Sequence, residues 1–204
     1  MKTIKVNINS ILGEISVMND GKGIPVRKHQ KEKELWVPEL IFGSLLTSSN
    51  YDDNVKKTTG GRNGYGAKLT NIYSTEFTVE TFDSERKLHY LQTWRNNMSD
   101  KTDAQVKHKD GSGDFTKITF KPDLKRFKLD KLDADHVAIF TKRAYDMAGV
   151  IDKRVTVYLN DTKIPIANFE EYIKLYMDTE ENKELPFIHY KCTHWEVVCT
   201  HSDG

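Results

Sequence analysis

Residues 60–68, Gly60-Gly61-Arg62-Asn63-Gly64-Tyr65-Gly66-Ala67-Lys68, carry the densest chemistry in the chain. Their four glycines let backbone amides approach a ligand. Arg62 and Lys68 add two cationic donors, and the helix expected to follow presents a positive N-terminal end. Together these features suit a polyphosphate. The spacing is not that of a Walker loop, which needs Lys directly after the second glycine and Ser or Thr next. Here Ala67 precedes Lys68 and Leu69 follows, and the third glycine of a dinucleotide fingerprint is missing. A glycine-rich turn without a ligand is the competing reading for the glycines alone.

A second candidate is Asn19-Asp20-Gly21-Lys22-Gly23-Ile24-Pro25. An amide or carboxylate at a strand end, followed by two glycines, can hydrogen-bond a purine edge that stacks over bare backbone, although many ligand-free turns look the same. The third, Thr47-Ser48-Ser49-Asn50-Tyr51-Asp52-Asp53, offers hydroxyls and an amide to phosphate oxygens, against a default reading of helix termination and solvated loop. Glu14, Asp20 and Asp52 are the nearby carboxylates that could serve as base or metal ligand. None has a partner at suitable spacing, so they read as solvated loop carboxylates. The seven histidines show no metal-ligand spacing, and Cys192 and Cys199 read as free thiols of a strand pair. Lys121 to Lys131, with five basic and two acidic residues, reads as a solvated face.

Positioning these segments requires a sheet. Ile4-Val6-Ile8 and Ile15-Val17 alternate on either side of a turn at Ser10 to Gly13, the pattern of a hairpin with one buried face. Val37 to Leu46 predicts a helix with Pro38 in its first turn and Leu40, Ile41 and Leu45 inward. A polar loop from Thr47 to Asn63 leads to a short helix over about Ala67 to Tyr73. Strand-like runs follow at Glu76 to Phe82, Leu88 to Trp94, Thr116 to Phe120 and Arg154 to Leu159, with turn signals at Asp83-Ser84 and Asp110 to Asp114. They suggest an antiparallel meander. Asp133 to Ala148 places Val137, Phe140, Ala144 and Met147 at helical spacing, with Asp133 as N-cap and Gly149 as the stop. The expected architecture is a two-layer α+β sandwich.

With 204 residues, the chain can bury one moderate core. Thirty-one basic against thirty acidic residues leave a net charge of +1, so no global field recruits DNA or an anionic membrane. The longest apolar stretch, Leu40 to Leu46, is too short to span a bilayer, and the N-terminus lacks a signal-peptide apolar core. A 10% aromatic content argues against disorder.

In order and spacing, NDGKGIPV, VPELIFGSLLTSSNYDD and TGGRNGYGAKLTNIYSTEFTVET resemble the ATPase region of eukaryotic type II DNA topoisomerases, within the gyrase, chaperone, histidine-kinase and mismatch-repair ATPase superfamily. TSSNYDD and GGRNGYGAK point to the topoisomerase branch rather than to a mismatch-repair ATPase, and FTKRAYDMAG and VTVYLNDTKIPI extend the resemblance to about Asn168. NFEEYIKLYMD and HWEVVCTHSDG resemble the start of a transducer domain. The resemblance implies an ATP-binding domain over 1–168 and the beginning of a transducer over 169–204. The implied fold is Bergerat-type: a mixed, mainly antiparallel sheet with helices on one face, without its first helix.

By the same resemblance Asn19 takes the adenine-facing position, while Gly21 and Gly23 let backbone close over the nucleotide. Ser48, Ser49 and Asn50 contact the ribose and phosphate side. Arg62, Asn63, Gly64, Tyr65, Gly66, Ala67 and Lys68 form a lid around the triphosphate, Lys68 carrying the phosphate charge. Asn19 and Lys68 are expected to line one pocket on the open face of the sheet. The family's general base and magnesium-holding Asn would lie upstream of Met1, so this chain is expected to supply neither catalytic group nor metal ligand and not to turn over ATP. The implied cofactors are ATP and Mg2+. The implied setting is a nuclear, homodimeric enzyme acting on duplex DNA, with no membrane. A truncated or degenerate paralogue acting as a noncatalytic interaction module is the alternative.

Overall fold

The alternation at the start of the chain folds as the expected hairpin, β1 (Thr3–Asn9) and β2 (Glu14–Asn19), closed by Gly13 at φ 61°. The structure is a computed structural model that describes residues 1–45, 47, 63–177 and 186–201. After β2 come α1 (Val37–Gly43), α2 (Tyr65–Ile72), β3 (Ser74–Asp83), β4 (Leu88–Arg95), β5 (Asp100–Lys101), β6 (Gln105–His108) and β7 (Phe115–Pro122). A short 3₁₀ turn at Leu124–Phe127 leads to α3 (Ala134–Val150), β8 (Thr156–Leu159) and β9 (Thr162–Lys163). Finally α4 (Phe169–Met177) precedes the separate hairpin β10 (Phe187–Lys191) and β11 (Glu196–Thr200).

Among the described residues nine strands form one sheet in the order β5-β4-β3-β7-β2-β1-β8-β9, with β6 also paired to β4. All its pairs are antiparallel except β1 with β8, which the chain reaches from β7 by way of α3, passing over β2 and β1. The sheet is therefore mixed and mainly antiparallel rather than a plain meander. Residues in register share a face. One face carries Ile8, Ile15, Phe120, Phe77 and Trp94 and receives the helices. The other carries Lys5, Lys117, Lys121, Glu76, Glu80 and Arg95 and faces water.

The helical layer covers the inner face in two parts. Phe42 of α1 packs with Val26, Phe77, Val79, Tyr90 and Trp94. At the other end, Ala144 and Ala148 of α3 pack on Val157 and Ile164, and Val137 and Phe140 pack near Ile8, Ile15 and Leu132. Burying the valine, isoleucine, leucine and phenylalanine side chains among these contributes about 1.5 to 3 kcal/mol each.

Three local expectations are corrected. The helix from Val37 stops at Gly43, because Ser44 turns extended, so Ile41 and Leu45 point outward and Phe42 supplies the anchor. Gly149 does not end α3. It lies inside the helix, where a Cβ would stand 2.5 Å from the Tyr172 ring of α4. Met147 is 42% exposed rather than in the core. The Asp133 N-cap is observed, its carboxylate accepting the His136 amide at 3.0 Å. Cys192, just past the end of β10, and Cys199, on β11, are free and exposed.

Candidate functional site

Asn19 closes β2 in register with Ile4 of β1 and Thr116 of β7, and Thr116 is in turn opposite Thr81. This row lies on the helix-bearing face, between the region covered by α1 and that covered by α3, so the open-face expectation is corrected. Beside Asn19, Val17 is 40% exposed although it belongs to a central strand on the same inner face. A strip of the inner face is thus left uncovered by the described helices next to the Asn19 amide.

The turn after Asn19 is tightly built. Asp20 Oδ1 accepts the Lys2 and Thr3 amides at 2.7 and 2.8 Å. Burial would raise its carboxyl, but these two donors hold it below the usual carboxylate range. Asp20 is therefore a structural acceptor rather than a base. A Cβ on Gly21 would meet Asn19 Nδ2 at 3.0 Å, and one on Gly23 would stand 2.5 Å from the Phe82 carbonyl oxygen. Gly23 is required by the protein's own backbone, whereas at Gly21 a side chain would press only on the Asn19 and Met1 side chains. Asp83 and Asp114, which sequence spacing shows only as turn formers, take part in holding this turn.

α2 supplies the second half. Its N-cap, Gly64, sits at φ 66°, a left-handed conformation that glycine adopts without strain. Asn63, Tyr65, Gly66 and Ala67 are exposed around this helix start. Gly66 has open space where a Cβ would be, so packing within the described chain gives no reason for glycine there. Lys68 turns the other way. It is 1% exposed, and its Nζ donates to the carbonyls of Thr47 and Gly64, each at 3.1 Å. No carboxylate pairs with it among the described residues, and burial lowers the ammonium pKa. One turn on, Asn71 is fully buried. Its Nδ2 donates to the Phe42 carbonyl at 3.1 Å, while its Oδ1 has no partner among the described residues. Among the described residues, the inner face of α2 thus holds a cation without a counter-charge and an acceptor without a donor.

α2 packs on α1, β3 and β7, which puts Lys68 on the same side of the sheet as Asn19. Ser48, Ser49, Asn50, Asp52 and Arg62 lie outside the described residues. Among the described residues no cluster of three His, Cys, Asp or Glu could hold a metal ion, and Asp20 is committed to amides. No magnesium ligand is assigned on these residues. A cavity of about 490 Å³ between the end of α3, the start of α4 and the β10–β11 hairpin is lined by none of the candidate residues.

The curated relatives decide the family. DNA topoisomerase 2 of Drosophila melanogaster is 50% identical over 207 residues, spanning all of this chain and 14% of that protein. DNA topoisomerase 2-beta of Mus musculus is 52% identical, again over all of this chain and 13% of that protein. The chain belongs to the DNA topoisomerase 2 family. Within that family it matches the ATPase region: the crystal structure of the Saccharomyces cerevisiae topoisomerase II ATPase region superposes with a TM-score of 0.92 at 46% identity. That match covers 99% of this chain and 52% of the solved one. The ATPase and transducer domains of Balamuthia mandrillaris DNA topoisomerase II give 0.87 at 46% identity, over 97% of this chain and 49% of that one. The chain thus spans about one-seventh of these topoisomerase 2 relatives and about half of the solved regions. No protein-family model matches it.

Proposed function

We propose that the strip beside Asn19 and the start of α2 bind ATP, and that the chain serves in a type II DNA topoisomerase. In that enzyme, ATP-driven closure of a homodimer and hydrolysis power the passage of one duplex through another in the nucleus. The observation that carries the site is Lys68: an ammonium buried with no carboxylate partner among the described residues, near the start of a helix capped by Gly64, suits a polyphosphate. Asn19 can both donate to and accept from a purine edge. Ser48, Ser49, Asn50 and Arg62 would complete the phosphate side, with Asn63, Gly64, Tyr65, Gly66 and Ala67 as lid. Magnesium, entering with ATP, would neutralise phosphate charge. Residues 1–168 would form the ATP-binding domain and 169–204 the start of the transducer.

Calorimetric titration tests this. Lys68→Ala should weaken ATP more than ADP, since a charged hydrogen bond to a terminal phosphate contributes about 1.5 to 3 kcal/mol. Equal losses would move Lys68 away from the γ-phosphate. Asn19→Asp should keep adenine, whose exocyclic amine donates. Asn19→Leu leaves that amine unpaired and should cost about 1 to 3 kcal/mol, and an unchanged affinity would remove Asn19 from the site.

A further inference from the structure

The turn after β2 is gripped by carboxylates from far along the chain. Asp114 Oδ2 accepts the Gly23 amide at 3.3 Å while its Oδ1 accepts the Ser84 amide at 2.7 Å. Asp83 Oδ2 accepts the Val26 amide at 2.9 Å. Arg86 braces that carboxylate, its guanidinium donating to Oδ2 at 2.9 Å and its amide to Oδ1 at 3.1 Å. Asp83 is 4% exposed, so these bonds lie out of competition with water. Gly23 meanwhile rests directly on the Phe82 carbonyl. Phe82, Asp83 and Ser84, where β3 ends, thus hold the turn at Gly23 and Val26, on the side away from Asn19 and β1.

We propose that Asp83 and Asp114 are positioning residues for the base: by clamping Gly23 and Val26 they hold the Asn19–Val26 turn as a preformed adenine surface. The proposal rests on the ATP reading above. It deepens that reading by assigning base affinity, as distinct from phosphate affinity, to two residues that act only through loop amides. A loop with two glycines that had to order on binding would lose affinity to conformational entropy. Charge-assisted bonds from ionised carboxylates to backbone amides are strong enough to remove that cost beforehand.

The experiment uses Asp83→Asn and Asp114→Asn in the full chain, titrated with ATP, ADP and inorganic tripolyphosphate, with hydrogen exchange of the 19–26 amides measured in parallel. The variants keep side-chain shape but lose charge. ATP and ADP should each weaken about tenfold, tripolyphosphate should bind as before, and exchange should rise in 19–26 while β1 and β7 keep their protection. Equal loss of all three ligands would mean a general structural defect and overturn the proposal, as would variants that bind ATP like the wild type. Wild type that binds no nucleotide would overturn the ATP reading itself, a distinguishable result. Arg86→Gln leaves Asp83 in place and alters only the brace, so it tests the same split should the Asp83 variant not fold. It should show a smaller loss confined to ATP and ADP, and the absence of any such split would overturn the proposal.

Discussion

Lys68 combines an exposed-type side chain with a buried position. Its two carbonyl acceptors among the described residues satisfy donors but do not neutralise charge, and no described carboxylate offsets the cost of taking an ammonium out of water. Burial lowers its pKa. Between the lowered value and the ordinary lysine value the unfolded chain binds more protons than the folded one, so stability should rise with pH across that window. Lys68→Met should flatten that rise. At neutral pH it should change stability by no more than about 2 kcal/mol, because relief of the buried charge offsets two lost hydrogen bonds. Urea unfolding from about pH 7 to about pH 10 checks this, and an unchanged slope would mean another group sets it. The sequence marked Lys68 through its glycine neighbours, since that signal is local. It could not mark Asp83 and Asp114, whose bonds to Val26 and Gly23 span 57 and 91 positions.

Among the elements, the strands that alternate were legible because period two reports a half-buried face directly. β1, β2, β3, β4, β7 and β8 lie where the pattern put them, within a few residues. β5 and β6 were not legible, being short, mostly exposed and without an alternating apolar set. The parallel pairing of β1 with β8 is likewise invisible locally, since it depends on α3 crossing the sheet. Gly149 was misread because glycine near the end of a helical pattern commonly stops it, whereas here Tyr172 occupies the space. The Tyr172 hydroxyl donates to Asp146 and pairs with Tyr176, so α4 is fixed to α3 by both shape and hydrogen bonds. Gly149→Ala should therefore destabilise. Helix propensity favours alanine by about 1 kcal/mol, but overpacking against an aromatic ring costs about 1 to 3 kcal/mol. Thermal unfolding should show a lower midpoint, with faster hydrogen exchange in α4. A stabilised variant would mean that α4 moves aside freely.

At the scale of the whole molecule, ten carboxylates among the described residues are displaced in one direction. Asp20, Glu76, Asp83, Asp114, Asp123, Asp133, Asp146, Asp152, Glu170 and Glu196 are all held below their ordinary values, by backbone amides, by Lys and Arg partners or by both. For Asp83, burial acts upward, but the Val26 amide and Arg86 outweigh it. A depressed carboxyl contributes stability that is complete above its unfolded value and is lost as pH falls through the folded one. Stability should be nearly flat down to about pH 5 and fall steeply below about pH 4. Many of these groups are exposed and contribute little each, which singles out the buried Asp83 as the residue to test. Asp83→Asn should lower the urea midpoint near neutrality, where the wild-type carboxylate is ionised. The two proteins should converge at the acid end, where the wild type has also lost that charge. A gap that persists undiminished in acid would show that Asp83 contributes through shape alone, and that the turn after β2 owes nothing to its charge.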